Sequence, residues 1–119
     1  MGQDGIGRSL DVVVYSALMD KVQKVVDCLK RYDPEQIIIF GSCARGDADE
    51  QSDVDIVVIK QTEARFLDRL LEVAKFLDND LGKVDVFVYT REEFDEMRRR
   101  ENPFIAKVVA EGRVIYPSQ

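Results

Sequence analysis

Histidine is absent from the 119-residue sequence, and cysteine occurs only at Cys28 and Cys43. The lack of histidine excludes His-based zinc sites, Ser/His triads and Cys/His dyads. The two cysteines do not have metal-ligand spacing, and although a disulfide stays open, a reduced cytosolic compartment is the simpler interpretation. Any metal ion would then be held mainly by oxygen, which favours Mg²⁺, Mn²⁺ or Ca²⁺.

Long apolar runs and excess positive charge are also missing. No stretch approaches the ~18 apolar residues of a membrane span, and the first ten residues lack the apolar centre of a signal peptide. The formal net charge of -6 disfavours general binding to nucleic-acid phosphates. Because hydrophobic residues make up 45% and charged residues 34%, we expect one soluble globular domain over residues 1–119, with a flexible leader at 1–12.

Apolar periodicity predicts short strands between amphipathic helices. A helical pattern starts at Tyr15 and is stopped by Asp33-Pro34. Strands are predicted at residues 37–40, 54–59, 84–89 and, at an edge, 114–116; further helices are predicted from Thr62 to about Leu81, from Arg91, and from Pro103 to Gly112. This order predicts an α/β (α+β) fold, a small mixed sheet of about three to four strands backed by helices.

Local signals mark the helix ends and the sides that should face the core. Thr90-x-x-Glu93 is a capping box, Asn102 caps the last helix, and Gly82 suits the position after the long helix. We expect the apolar side chains of the two later amphipathic helices to point inward: Phe66, Leu67, Leu70, Leu71, Ala74, Leu77 and Leu81 in the first, and Phe104, Ile105, Val108 and Val109 in the second.

Two acidic residues begin the otherwise apolar strand at 54–59. Side chains alternate along a strand, so Asp53 and Asp55 face the same way, roughly 6.6 Å apart. Buried carboxylates need a counter-charge, which a divalent cation would supply. Asp-x-Asp alone is more often a solvated strand start, so the pair needs further support.

That support comes from Gly41-Ser42 and from Asp85. The Gly-Ser pair follows a buried strand directly, where glycine permits a tight turn and serine can offer its hydroxyl and N–H groups to a phosphate. Arg45 would add a charge-assisted bond to a phosphate oxygen. If the strand at 84–89 lies beside the one at 54–59, Asp85 could join the first two acids, bind metal with them and accept a proton.

These pieces together resemble the signature of the polymerase-beta-like nucleotidyltransferase superfamily, Gly-Ser and then Asp-x-Asp after ten residues. Here Cys43 to Ser52 supply the ten residues, and Asp85 is similar to the third carboxylate of that superfamily. Residues from about 20 to 117 resemble its minimal nucleotidyltransferases. The resemblance implies that Gly41, Ser42 and Arg45 contact a nucleoside triphosphate, and that Asp53, Asp55 and Asp85 are catalytic and bind two Mg²⁺ ions, with Mn²⁺ as an alternative.

The resemblance also implies a reaction and a partner. The reaction would be transfer of a nucleoside monophosphate, AMP from ATP, to a hydroxyl group, with pyrophosphate leaving. Minimal nucleotidyltransferases are often paired with a helical HEPN toxin, and some act as antitoxins that transfer AMP to a tyrosine of that toxin. Two alternatives stay open: a non-enzymatic antitoxin or scaffold, and a homo-oligomeric enzyme that modifies a small molecule.

Overall fold

The structure, a computed structural model, describes residues 18–41, 44 and 53–117. Helix α1 is described over residues 18–30. The elements that follow are β1 (Gln36–Phe40), β2 (Val54–Ile59), α2 (Phe66–Ala74), a 3-10 turn (Asn79–Leu81), β3 (Val84–Tyr89), α3 (Arg91–Arg99), α4 (Pro103–Glu111) and β4 (Arg113–Tyr116). The predicted leader at 1–12 lies outside the described residues.

The strands form one mixed sheet in the order β3-β2-β1-β4. Strand β1 runs antiparallel to both of its neighbours, β2 and β4, whereas β2 and β3 are parallel. A parallel pair needs a crossover connection, and α2 lies within the segment that joins β2 to β3. The mixed α/β architecture predicted from the sequence is therefore confirmed.

Each face of the sheet is covered by a pair of helices. Helices α1 and α2 cover one face, where Leu29, Ile37 and Val58 are fully buried. Helices α3 and α4 cover the other, around Val57, Ile59 and Ile105. Strand β2 contributes buried residues to both clusters, which explains its almost wholly apolar sequence. Within the described part of the chain, no helix is long and apolar enough to cross a membrane.

The N-terminal caps predicted at Thr90 and Asn102 are present. The Thr90 side chain accepts from the N–H of Glu93, and the Glu93 carboxylate accepts from the N–H of Thr90, which completes the capping box of α3. The Asn102 side chain accepts from the N–H groups of Phe104 and Ile105 at the start of α4. These bonds satisfy N–H groups that have no partner inside the helix.

The predicted helix from Thr62 to Leu81 was too long at both ends. The Thr62 hydroxyl accepts from the N–H of Ala64, and α2 begins at Phe66 without a side-chain cap. After Ala74 the backbone N–H groups bond to carbonyls three residues back, which tightens and ends the helix. The following Asp78-Asn79-Asp80 is a run of poor helix formers, whose side chains compete for backbone groups.

The predicted inward stripe of α2 was also partly wrong. Leu67 and Leu71 are 71% and 68% exposed, and Phe66 is 37% exposed. The buried residues of this helix are Val73 and Arg69. In α4, Ile105 and Val108 are buried as predicted, but Val109 is 41% exposed. Periodicity locates the apolar side of a helix, but the extent of the surface that packs against the helix decides how much of that side is buried.

Arg69 takes the inward position on α2 because its guanidinium makes four hydrogen bonds. It donates to the carbonyls of Ala64 and Val88 and to both carboxylate oxygens of Glu93, at 2.6 and 3.2 Å. A buried charge is tolerated when it is paired and hydrogen-bonded in this way. The same contact joins α2 to the start of α3.

Candidate active site

The predicted acids meet at one edge of the sheet, where β1 ends and β2 and β3 begin. Asp55 is paired with Phe40 of β1 on one side and with Asp85 of β3 on the other. Residues at paired positions of neighbouring strands project from the same face. The sequence analysis required β3 to lie beside β2. The two strands are neighbours, and their register places Asp55 next to Asp85.

Asp55 is the acid whose pKa is most clearly affected by its neighbours at this edge. Burial raises the pKa of its carboxyl group, as do the charges of Asp85 and Asp53 and a hydrogen bond with the Asp85 side chain. The charge of Lys107, on α4, acts in the opposite direction. The three acids are therefore close enough for each of the other two to act on Asp55.

Gly41 gives Asp55 the room that it occupies. Its φ is +76°, a left-handed conformation that favours glycine. A Cβ atom built at this position would lie 2.7 Å from Oδ2 of Asp55, closer than real Cβ contacts. The turn after β1 therefore requires glycine for two reasons, its backbone angle and the approach of a carboxylate.

Two of the predicted nucleotide-binding residues, Ser42 and Arg45, lie outside the described residues, so their roles stay predictions. Of the same loop, Ala44 is described: it is buried, and its N–H donates to the carbonyl of Gly41 at 3.1 Å. This bond marks a tight turn directly after the strand, as expected for the segment that follows β1.

The carboxylates suit a divalent cation by their chemistry, although they do not yet form a ligand shell. All three are oxygen donors, the type that Mg²⁺ prefers. Their repulsion, which raises the pKa of Asp55, is what a cation would neutralise. Among the residues described, however, no three His, Cys, Asp or Glu side chains are grouped so that they could hold a metal ion. The acids act on each other as charges, and binding would require their oxygens to converge.

Two lysines near the acids were not predicted. Lys83 Nζ lies 3.4 Å from Oδ2 of Asp53, but both side chains are largely exposed, so the pair contributes little. Lys107 is exposed on α4 and acts on Asp55 across the sheet face. Lys83 precedes β3 and could have been suspected from its place beside Asp85. Nothing local marks Lys107, because its position depends on how α4 packs.

Comparison with known proteins places this geometry in a family. Residues 23–119 match the family model described as polymerase beta, nucleotidyltransferase. Two proteins of Methanocaldococcus jannaschii, each named "Putative protein adenylyltransferase", are 32% identical to the chain. One aligns over 100 residues, 80% of this chain and 94% of the relative, and the other over 86 residues, 71% and 78%.

Solved structures support the same fold. A crystal structure described as a putative nucleotidyltransferase from Sulfolobus solfataricus has a TM-score of 0.54 and 24% identity, covering 89% of this chain and 82% of its own. A toxin-antitoxin structure with AMP-PNP has a TM-score of 0.58 and 24% identity, covering 82% and 73%. With the family match over most of its length and the acids at one sheet edge, the chain belongs to the polymerase beta nucleotidyltransferase family.

Proposed function

We propose that this nucleotidyltransferase moves AMP from ATP to a hydroxyl group of a partner protein, with Mg²⁺ as cofactor. The observation that carries the proposal is the pairing of Asp55 with Asp85 beside Gly41 at one sheet edge, with Asp53 acting on the same carboxylate. The M. jannaschii relatives named as protein adenylyltransferases support AMP and a protein acceptor.

In the proposed reaction, the acceptor oxygen attacks the α-phosphorus of ATP. The bond from that phosphorus to the oxygen leading to the β-phosphorus breaks, and pyrophosphate leaves with the bonding electrons. The acceptor hydroxyl loses its proton, which Asp85 would take. Gly41 and Ser42 would hold the triphosphate through the turn, and Arg45 would pair with a phosphate oxygen.

Mg²⁺ would be held by Asp53, Asp55 and Asp85, two ions in the full complex. When bound, it would neutralise the negative charge of the triphosphate and of the transition state. The fit rests on the donor set: three carboxylates, with the pKa of Asp55 raised by burial and its acidic neighbours. Positioning of the reacting groups and this neutralisation would supply most of the catalysis.

We propose a tyrosine of a helical HEPN-type toxin as the acceptor, which would make this chain an antitoxin that works by AMP transfer in the cytoplasm. The structural neighbour that is a toxin-antitoxin with AMP-PNP supports the pairing and the adenine nucleotide. Because the catalytic core uses most of the described residues, we propose that another polypeptide completes the acceptor site.

The test is a transfer assay with a purified HEPN-type helical protein as the candidate acceptor. We expect α-labelled ATP with Mg²⁺, but not γ-labelled ATP, to label that protein, with mass analysis locating one AMP on a tyrosine. Asp55→Asn should lower the rate by about 100-fold or more, since it removes a charge from the reacting centre. Asp20→Asn, an exposed acid on α1, is the matched control and should keep the wild-type rate.

A non-enzymatic antitoxin is the second candidate, favoured by the absence of a ready-made metal group among the described side chains. It predicts that the double variant Asp53→Asn/Asp55→Asn protects cells from the toxin as well as the wild type does. Loss of protection by a variant that is still folded and still binds the toxin would exclude this candidate.

A further inference from the structure

The outer edge of β3 is unoccupied by any described strand. In the described part of the sheet β3 pairs only with β2. The carbonyls of Lys83 and Tyr89 accept from N–H groups of β2 and its following residue. Successive backbone groups point in opposite directions along a strand. The N–H and carbonyl groups of Val84 and Val86 therefore point away from β2, toward the open edge.

Val88 confirms this alternation. Its carbonyl, which has the same parity as those of Val84 and Val86, accepts from Nη1 of Arg69 on α2 at 3.2 Å, and not from β2. No described side chain does the same for Val84 or Val86. The half of the edge that lies next to Asp85 therefore offers backbone donors and acceptors to another chain.

A groove of about 310 Å³ runs along this open half of the edge. It is lined by Leu70, Ala74 and Leu77 from α2 and its end, and by Val84, Asp85 and Val86 from β3. Because residues from both faces of β3 line it, the groove lies at the strand edge. Its walls are apolar apart from Asp85, the acid proposed to take the acceptor proton.

The exposed leucines of α2 continue the apolar wall toward solvent. Leu67 and Leu71 are 71% and 68% exposed. With Leu70 and Ala74 of the groove they have the i, i+3, i+4, i+7 spacing of one helix side. A single exposed leucine needs no explanation, but apolar surface continuous with an open strand edge is typical of a protein-binding site.

We propose that the acceptor polypeptide docks by adding an extended segment to the edge of β3, with apolar side chains against Leu67 and Leu71. This proposal rests on the proposed function, because it places the acceptor hydroxyl beside Asp85. An added strand lies about 4.8 Å from its neighbour, with opposite Cβ atoms about 4.5–5.5 Å apart. The side chain opposite Asp85 therefore stands on the sheet face that carries the acids.

Charge favours a foreign segment over a second copy of this chain. Two copies of β3 paired antiparallel about the centre of the groove would place Asp85 opposite Asp85 of the other copy, and like charges directly opposite are unfavourable. The net charge of -6 adds to that repulsion. A hydroxyl-bearing side chain at the same position brings no charge and can donate a hydrogen bond to the carboxylate.

The first measurement is calorimetric binding of the same HEPN-type helical protein to this chain, without nucleotide. We expect Leu71→Lys to raise Kd at least about tenfold, because it places a charge in the apolar contact. Val109→Lys is the matched control: Val109 is 41% exposed on α4, away from the groove, and its variant should bind within about twofold of the wild type. Equal Kd values for all three proteins would overturn the proposal.

The second measurement is amide hydrogen exchange of the wild-type chain with and without that protein. Strand addition predicts slower exchange at Val84 and Val86, whose N–H groups point to the open edge. Exchange at Asp85, whose N–H faces β2, should change much less. Binding of the partner that leaves the N–H groups of Val84 and Val86 unprotected would overturn the proposal. Self-association of the wild-type chain through this edge, without binding of the partner, would overturn it as well.

The transfer assay separates this proposal from the proposed function. Asp55→Asn should bind the partner normally and transfer no AMP, whereas Leu71→Lys should transfer it with a raised KM and a retained kcat. If the wild type transfers nothing but Leu71→Lys still loses binding, the docking site stands and the enzymatic proposal fails. If Leu71→Lys transfers AMP with an unchanged KM, the enzymatic proposal stands and the docking site fails.

Discussion

Asp55 and Asp85 are paired residues of two adjacent parallel strands, and burial, followed by the charge of Asp85, raises the pKa of the Asp55 carboxyl group. Like charges at such positions destabilise a sheet, and here the pair is also partly removed from water. A folded protein keeps such a pair when something else depends on it. In this family of nucleotidyltransferases, the proposed reason is a divalent cation between the two strands.

Addition of Mg²⁺ should stabilise the wild-type chain. A ligand that binds only the folded state adds about 2.7 kcal/mol to the free energy of unfolding at one hundred times its Kd. We expect thermal unfolding with Mg²⁺ and a non-hydrolysable ATP analogue to show this increase for the wild type and for Asp20→Asn. Asp55→Asn should lose most of it. An equal response of all three proteins would show that the acids do not bind the ion.

The stability of the metal-free chain should depend on pH through Asp55. Burial, followed by the charges of Asp85 and Asp53, raises the pKa of its carboxyl group, so the folded state holds this proton at pH values where the unfolded state has released it. The contribution of Asp55 to the free energy of unfolding therefore falls as pH rises through the window between the two values.

Asp55→Asn removes this dependence. The difference in unfolding free energy, variant minus wild type, should grow as pH rises above the ordinary aspartate pKa of about 3.9, in urea titrations with a chelator present. The pKa of Glu93, which the hydrogen bond with Arg69 lowers, gives the opposite slope, but both proteins share it. A difference in unfolding free energy that does not change with pH would show that the pKa of Asp55 is not raised in the folded state.

Gly41 should be required for activity because of the space it leaves for Asp55, in addition to its backbone angle. Gly41 and Gly82 both have φ of +76°, so Gly→Ala should cost about 1–3 kcal/mol of stability at either position. At Gly41 the new methyl group would also meet Oδ2 of Asp55 at 2.7 Å, whereas at Gly82 it meets the flexible end of Lys21 at 3.3 Å.

We therefore expect Gly41→Ala to lower the transfer rate at least about tenfold, because the displaced carboxylate no longer holds its place in the site. Gly82→Ala should lose comparable stability and keep the wild-type rate within about twofold. The comparison needs transfer rates and urea unfolding of both variants. Equal activity would mean that the turn tolerates a side chain and that Asp55 does not need this place.

The contact between Arg69 and Glu93 should dominate the stability of the α2–α3 junction. Glu93→Ala leaves the buried guanidinium without its carboxylate and removes half of the capping box of α3. We expect a loss of about 2–4 kcal/mol, below the full value for a buried pair because the Glu93 side chain is 43% exposed.

Glu96→Ala provides the comparison. Glu96 also binds two arginines, Arg99 and Arg100, but all three side chains are exposed at the surface of α3. Its removal should change the midpoint of urea unfolding very little, since exposed ion pairs contribute little. Equal losses for the two variants would show that the burial of Arg69 is not the source of the stability.

Local features of the fold could be predicted because their causes are local. The strands at 54–59 and 84–89 have the bounds predicted from their apolar runs, and both caps lie within three residues of the groups they satisfy. The end of α2 was missed because the apolar pattern continues past Ala74, whereas the helix ends there. Leu67 and Leu71 were predicted inward because periodicity reports a stripe and not the surface that covers it.

The sequence by itself limited any metal site mainly to oxygen ligands, because it has no histidine, and its Gly-Ser and Asp-x-Asp motif indicated the nucleotidyltransferase family. Only the tertiary structure decided that Asp55 and Asp85 are neighbours, that Lys107 acts on Asp55, and that no described strand occupies the outer edge of β3 beside them. The physical reason is distance along the chain. Strand register and sheet order arise from contacts between residues at least fifteen positions apart, and thirty apart for Asp55 and Asp85, so no local pattern specifies them.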